Sequence, residues 1–329
     1  TASSGPKKRR QLEHSFFLTL RALFLRQKSL RMTCARSFSM NKRSKLVALA
    51  LGVSVLASVV TGCHRATSAR KEILVVSFGT SYNNSRDLTI GGIENAIAAA
   101  FPDYTVARAF TADTIINILK ERDNLAIDNV DEALVRAASN GIKTLVVQPT
   151  HLMDGFEYTD LQKTLAKYES KFSKVALAQP LLMSDDDFSA VAEAITAKTK
   201  NFDDGNTAIC FMGHGTEAES NKVYAKMQEV LSSKGFANYY VGTVETTPSV
   251  EDLLAAIQAK GSYKKVVLHP LMVVAGDHAN NDMAGDEDDS WKSIFEKAGY
   301  SVNCILEGLG QDATIQQLYV AHTKAAIDK

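Results

Sequence analysis

Short, continuous apolar runs separated by amphipathic stretches of three or four helical turns restrict this chain more than any other feature. In the first block, residues 73–78, 105–109, 144–148 and 174–179 read as strands, and 87–101, 112–121, 129–140, 160–170 and 185–199 as helices. Strands that are apolar throughout, rather than alternating, are buried on both faces, and that requires a parallel sheet covered by helices on each side. A loop at 201–206, with Asp-Asp-Gly inside it, interrupts the pattern. The alternation then restarts, with strands at 207–212, 238–244, 265–268 and 301–306 and helices at 219–234, 249–260, 290–298 and 312–327. The expected fold class is therefore α/β: two doubly wound, Rossmann-like (flavodoxin-like) lobes, each with a parallel four-stranded sheet, and a cleft between them. The lobes are expected over 72–200 and 201–329, with the last helix free to pack back on the first lobe. If the second sheet has the order 2-1-3-4, Cys210 and Cys304 lie on strands that are not neighbours, which argues against a disulfide between them.

Charge is distributed unevenly. The formal net charge is zero, but the first 62 residues hold twelve Lys and Arg against one acid, Glu13, so the remainder carries 25 basic and 36 acidic side chains. An acidic body argues against a nucleic-acid partner and suits a cationic or metallic one. From Met40 the sequence runs Met-Asn-Lys-Arg-Ser-Lys, then seventeen uncharged residues from Leu46 to Gly62, then Cys63. A basic start, an apolar run and small residues before a cysteine form an export signal. Val60-Thr61-Gly62-Cys63 resembles a bacterial lipobox, so residues 40–62 are expected to be a lipoprotein signal, Cys63 the lipidated residue and 63–71 a linker. The body would then be exported and held at the membrane by lipid. An uncleaved anchor is the alternative, since seventeen residues are at the lower limit for spanning a bilayer. Residues 1–39 fit neither account and are expected to lie upstream of the true start at Met40.

Ligands of open α/β sheets gather at the carboxyl ends of strands. His214, in Met-Gly-His-Gly, stands between glycines just after a strand, where a ring projects freely as base or metal ligand; capping the strand is its bland alternative. His278 follows a small turn, with Asp277 beside it as a carboxylate able to orient its ring. Glu157 lies in a loop and is a third candidate only if it faces those histidines. Two imidazoles and a carboxylate suit Co²⁺, Fe²⁺, Ni²⁺ or Zn²⁺ better than Mg²⁺ or Ca²⁺. His151 and His269, each near proline, read as packing or supporting residues. The acids Asp286 to Asp289 are either a solvated helix flank or a funnel for cations. Ser77 and Thr80 offer hydroxyls for an anion, but no dinucleotide, Walker, nucleophile-elbow, His-Glu-x-x-His or Cys-x-x-Cys motif is present.

At these positions the sequence resembles the anaerobic sirohydrochlorin cobaltochelatases, class II chelatases. The segments that carry the likeness are Val75–Ser81, Arg108–Thr111, Gln148 with His151, Gly155–Tyr158, Phe211–Gly215, Val241–Glu245 and Pro270–Trp291. The resemblance implies a two-lobed, chelatase-like enzyme that inserts Co²⁺ into sirohydrochlorin on the oxygen-independent route to cobalamin, with a tetrapyrrole and a divalent metal as its partners. It implies Glu157, His214 and His278 at the metal, His214 as proton acceptor, and Ser77, Phe78, Gly79 and Thr80 against the substrate. His151 and Asp277 would support the donors. Exported relatives hold haem through a histidine after Gly-x-Glu-Tyr; here Thr159 stands in that place, so no haem is expected. Iron insertion by the same site and a non-catalytic metal or tetrapyrrole carrier are the rival readings, and assembly into a homo-oligomer is left open.

Overall fold

The computed structural model describes residues 70–329. The expected upstream extension, signal, lipid site at Cys63 and nearly all of the linker lie outside these residues. Eight strands are present: β1 (Lys71–Ser77), β2 (Thr105–Phe110), β3 (Thr144–Pro149), β4 (Lys174–Leu177), β5 (Thr207–Gly213), β6 (Tyr239–Thr243), β7 (Lys265–Pro270) and β8 (Ser301–Cys304). They form two four-stranded sheets in the orders β2-β1-β3-β4 and β6-β5-β7-β8, with every pairing parallel. Both orders are 2-1-3-4, the order under which Cys210 and Cys304 of the second sheet lie on strands that are not neighbours.

The helices are α1 (Asn83–Leu88), α2 (Ile90–Ala100), α3 (Asp113–Asp123), α4 (Val130–Ser139), α5 (Phe156–Ala166), α6 (Asp185–Thr199), α7 (Lys222–Ser233), α8 (Val250–Lys260), α9 (Trp291–Lys297) and α10 (Ala313–Ile327). Two expectations are corrected. The helix expected over 87–101 is two helices, because the chain turns at Thr89, whose hydroxyl donates to the Ser85 carbonyl. The helix expected from 160 begins at Phe156, because Tyr158, Leu161 and Leu165 supply a buried stripe one turn earlier than the polar residues suggest. Capping boxes at Asn129, Ser184 and Ser249 satisfy the first free N–H groups of α4, α6 and α8 and fix where those helices start.

The central strands β1, β3, β5 and β7 are buried almost throughout, as the apolar runs require. One hydrophobic core joins both halves, from Ile73, Val75 and Val146 to Phe211, Tyr224, Val267 and Leu271. Helix α10 lies against the first sheet: the Tyr319 hydroxyl donates to the Thr150 carbonyl at 3.0 Å, and Thr323 donates to Gln148 Oε1 at 2.8 Å. In the second sheet Cys210 is level with Leu268, and Leu268 with Cys304. Two strand spacings, about 9.5 Å, exceed the reach of a disulfide, and both cysteines are free.

Candidate metal centre

The site is built at the carboxyl ends of three adjacent strands, β6, β5 and β7. His214 directly follows β5. Gly213 before it packs on the Tyr224 ring, where a Cβ would lie 2.1 Å from a ring carbon, and Gly215 after it has φ +92°. No side chain fits at the first position and few adopt the second, so both glycines are needed to present the imidazole. Beyond β6 the pairing continues: Val244 N–H donates to the Gly213 carbonyl (3.0 Å) and Glu245 N–H to the His214 carbonyl (2.9 Å). That register sets Val244 level with His214 and Glu245 one residue beyond it, and the Glu245 Oε1 lies 3.3 Å from His214 Nε2. His278 comes from the loop after β7, and its ring centroid is 4.6 Å from that of His214.

Donor atoms of His214, Glu245 and His278 all lie within 4.8 Å of one another. Donors on one ion at about 2.0–2.2 Å span at most about twice that, so a few tenths of an ångström of side-chain adjustment closes the set. The carboxylate is a correction: Glu157 is not in this group. It is exposed in the first turn of α5, on the first half of the chain, whereas Glu245 is carried to His214 by strand pairing. Sequence reading passes over Glu245 as a donor although it closes one of the segments that carry the likeness, because it is the second residue after β6 whereas His214 is the first after β5.

The residue that orients His278 is also corrected. His278 Nδ1 is 2.7 Å from Asp282 Oδ2, so the Nδ1–H donates there and the Nε2 lone pair is left for a metal. Asp277 instead accepts from Asn281 Nδ2 at 2.8 Å and, more weakly, from the Tyr82 hydroxyl at 3.5 Å. A π-helical turn at Ala279–Met283 brings residue i+4, not the preceding one, beside the ring. Replacement of such a supporting carboxylate commonly weakens metal affinity 10–100-fold. Asp282→Asn is therefore expected to weaken Co²⁺ binding by about that factor in a direct titration while Asp277→Asn changes it little; the reverse order would refute this assignment.

Of the four residues expected against substrate after β1, only Phe78 is widely open, 52% exposed. Ser77 and Thr80 are buried: Ser77 Oγ accepts from Thr150, and Thr80 Oγ1 accepts from the Tyr82 N–H. Gly79, at φ +101°, packs on the Phe110 ring. Both hydroxyls are thus buried acceptors, with Thr80 packed toward Gly276 of the second half, and the loop offers an aromatic face to solvent instead. His269 is core, its ring set edge-on to Phe211 and bonded to the Pro270 carbonyl. His151 is half-buried, but both its ring nitrogens are buried with neither bonded among the described residues, and that burial pushes its pKa down to about 4. Asp286 and Asp288, just before α9, pair with Lys292 in its first turn and Lys297 in its last, which matches the helix-flank reading.

Residues 71–328 match the profile of the cobalt chelatase (CbiK) family. The sirohydrochlorin cobaltochelatase of Salmonella typhimurium is 36% identical over 259 residues, 79% of this chain and 97% of that protein. The sirohydrochlorin cobaltochelatase CbiKC of Nitratidesulfovibrio vulgaris is 28% identical over 260 residues, 78% of this chain and 91% of that one. Among solved structures, SirB from Bacillus subtilis with Fe³⁺ has a TM-score of 0.58 at 10% identity, covering 78% of this chain and 95% of its own. The sirohydrochlorin chelatase SirB from Bacillus subtilis subspecies spizizenii, in complex with cobalt, gives 0.55 at 10% identity, with coverages of 79% and 96%. These likenesses carry the fold, and the family match carries the chemistry that three clustered borderline donors can perform: the chain belongs to the cobalt chelatase (CbiK) family and is a metal chelatase.

Proposed function

We propose that this chain inserts Co²⁺ into sirohydrochlorin, releasing the two pyrrole protons, in the anaerobic formation of cobalamin. The observation that carries the reading is the convergence of His214, Glu245 and His278 at the ends of three neighbouring strands. Two imidazoles and one carboxylate hold a borderline divalent cation without enclosing it, so coordination positions stay open for the macrocycle's nitrogens. The metal is substrate, held by few donors and passed on. Co²⁺ and Fe²⁺ both suit such a set, and the preference for cobalt rests on the family and on the two relatives named above. A steady-state assay with purified protein, following the absorbance of sirohydrochlorin with each metal in turn, tests this. Turnover fastest with Co²⁺ is expected; no insertion, or a stoichiometric complex that never releases product, overturns the reading.

We further propose that the enzyme is an exported lipoprotein on the periplasmic side, anchored through Cys63. The segment 40–63 supports this: a basic start, seventeen uncharged residues and Val-Thr-Gly-Cys. Two acyl chains at that cysteine give stable attachment where one gives marginal binding. Cys63→Ser is expected to move the protein from the membrane fraction to the soluble one with its cobalt insertion unchanged. A soluble native protein, or mass spectrometry that finds residues before Cys63 attached, refutes the anchor.

A further inference from the structure

A cavity of about 670 Å³ opens where the loop after β1 meets the loop after β7, and Ser81, Asn84, Arg122, Asp277 and Asn280 are among the residues that line it. Asp277 adjoins His278, so the cavity begins one residue from the metal centre. Arg122, near the end of α3, is held firmly at its edge. Its Nη2 donates to the Ser81 carbonyl (2.6 Å) and to Asn83 Oδ1 (2.9 Å), and Nε and Nη2 grip the Asp123 carboxylate at 2.9 and 2.7 Å. Arg86 Nη1 reaches the same Asn83 oxygen at 2.8 Å. Two guanidinium groups thus converge on one neutral amide acceptor, each also paired with the acid that follows it, Asp87 and Asp123. Arg122 Nη1 makes no hydrogen bond among the described residues, so with the Nε and Nη2 edge taken by Asp123 one guanidinium nitrogen keeps its N–H groups for a ligand of the cavity that Arg122 lines. Leu88 and Leu306, 56% and 45% exposed, line the same space with open apolar surface.

A preset guanidinium nitrogen next to exposed leucines fits a ligand that is apolar in its body and carboxylated at its rim. We propose that this cavity binds the peripheral carboxylates of the tetrapyrrole, with Arg122 gripping one of them through Nη1. The proposal rests on the function proposed above and adds a specificity-determining residue to it. A macrocycle whose nitrogens face His214 and His278 has its carboxylate arms directed outward, and the cavity adjoins that position. With its other edge held by Asp123, the planar guanidinium fixes the direction of the Nη1 donors, which a flexible lysine ammonium would not do.

The test compares wild type, Arg122→Gln and Arg122→Lys. In steady state, Arg122→Gln is expected to raise KM for sirohydrochlorin about tenfold, the loss of roughly one charge-assisted hydrogen bond, with kcat and the KM for Co²⁺ unchanged. Arg122→Lys should recover part of that loss. In parallel, binding of two metal-free probes is followed by porphyrin fluorescence: uroporphyrin, with eight carboxylates, and coproporphyrin, with four. Wild type should prefer the octacarboxylate, and Arg122→Gln should lose most of that preference. Unchanged sirohydrochlorin KM, an equal rise in both KM values, or a preference retained by Arg122→Gln each overturn the subsite. If wild type inserts no metal, the proposed function fails by itself, and the porphyrin comparison still reads the subsite.

Discussion

Replacement of His214 by alanine is expected to lower cobalt insertion by about 10²–10⁴-fold, the usual contribution of a positioned acid–base group, without unfolding the protein. Chelation requires that a pyrrole N–H lose its proton as the nitrogen takes the metal, so a base must stand beside the donors. His214 has the required setting: its ring projects from between two glycines, its Nε2 lone pair is free for a pyrrole proton once the metal has passed to the macrocycle, and Glu245 Oε1, 3.3 Å away, stabilises the imidazolium that then forms. Neither contact supports the core, so the thermal transition should stay near that of wild type. The same assay separates the two acids. Glu245→Gln should depress turnover strongly, because it removes both a donor and the partner of His214. Glu157→Gln should do much less, since its exposed carboxylate lies outside the cluster. Near-normal turnover of His214→Ala, or a larger loss from Glu157→Gln than from Glu245→Gln, would contradict the geometry described here.

Acid should destabilise the metal-free protein well before its carboxylates titrate. Burial pushes the rings of His151 and His269 down to about 4 from an ordinary 6.5; Glu157 near the first and the Pro270 carbonyl on the second oppose the shift only partly. With the folded pKa below the unfolded one, the unfolded chain binds the extra protons as pH falls. The stabilisation from these neutral rings is complete above about pH 6.5 and is lost as pH falls toward 4. By pH 5 the loss is on the order of 2 kcal/mol for each ring, a large share of the stability of an ordinary domain. Urea unfolding at pH 7 and pH 5 measures it. Wild type should lose stability across that interval, and His151→Leu, which removes one ring from a site where neither nitrogen is bonded, should lose about 2 kcal/mol less. An equal pH dependence in the two proteins would show that His151 is not held neutral by burial.

The two sheets were legible in the sequence because a strand buried on both faces must be apolar at every position, and that pattern is local. Each helix between them carries its own stripe and, in α4, α6 and α8, its own cap. Boundaries failed where local signals compete with packing: α5 starts at Phe156 because Tyr158 finds the core, and the polar residues after it gave no hint of that. The histidines of the site were equally legible, since His214 lies between two glycines at a strand end and His278 follows a Gly-Asp turn. Ser77 and Thr80 were misread for the opposite reason. Hydroxyls after a first strand look available for a ligand, but the turn at Gly79, with φ +101° against Phe110, directs them inward and leaves Phe78 at the surface.

What the sequence by itself determined was the class of chemistry: parallel α/β lobes, two free imidazoles at strand ends, and an acidic body suited to a cation. Which acid completes the donor set, which one orients His278 and where an arginine nitrogen is left unbonded beside a cavity were decided only by tertiary structure. Glu245 reaches His214 through the pairing of β5 with β6, Asp282 reaches His278 through a π-helical turn, and Arg122 is fixed by a carbonyl and an amide from the loop after β1. In each case the contact depends on the register between segments or on the pitch of a turn. A shift of one residue in a strand reverses the side on which its side chains stand, so no count of spacing along the chain distinguishes Glu245 from Glu157, or Asp282 from Asp277.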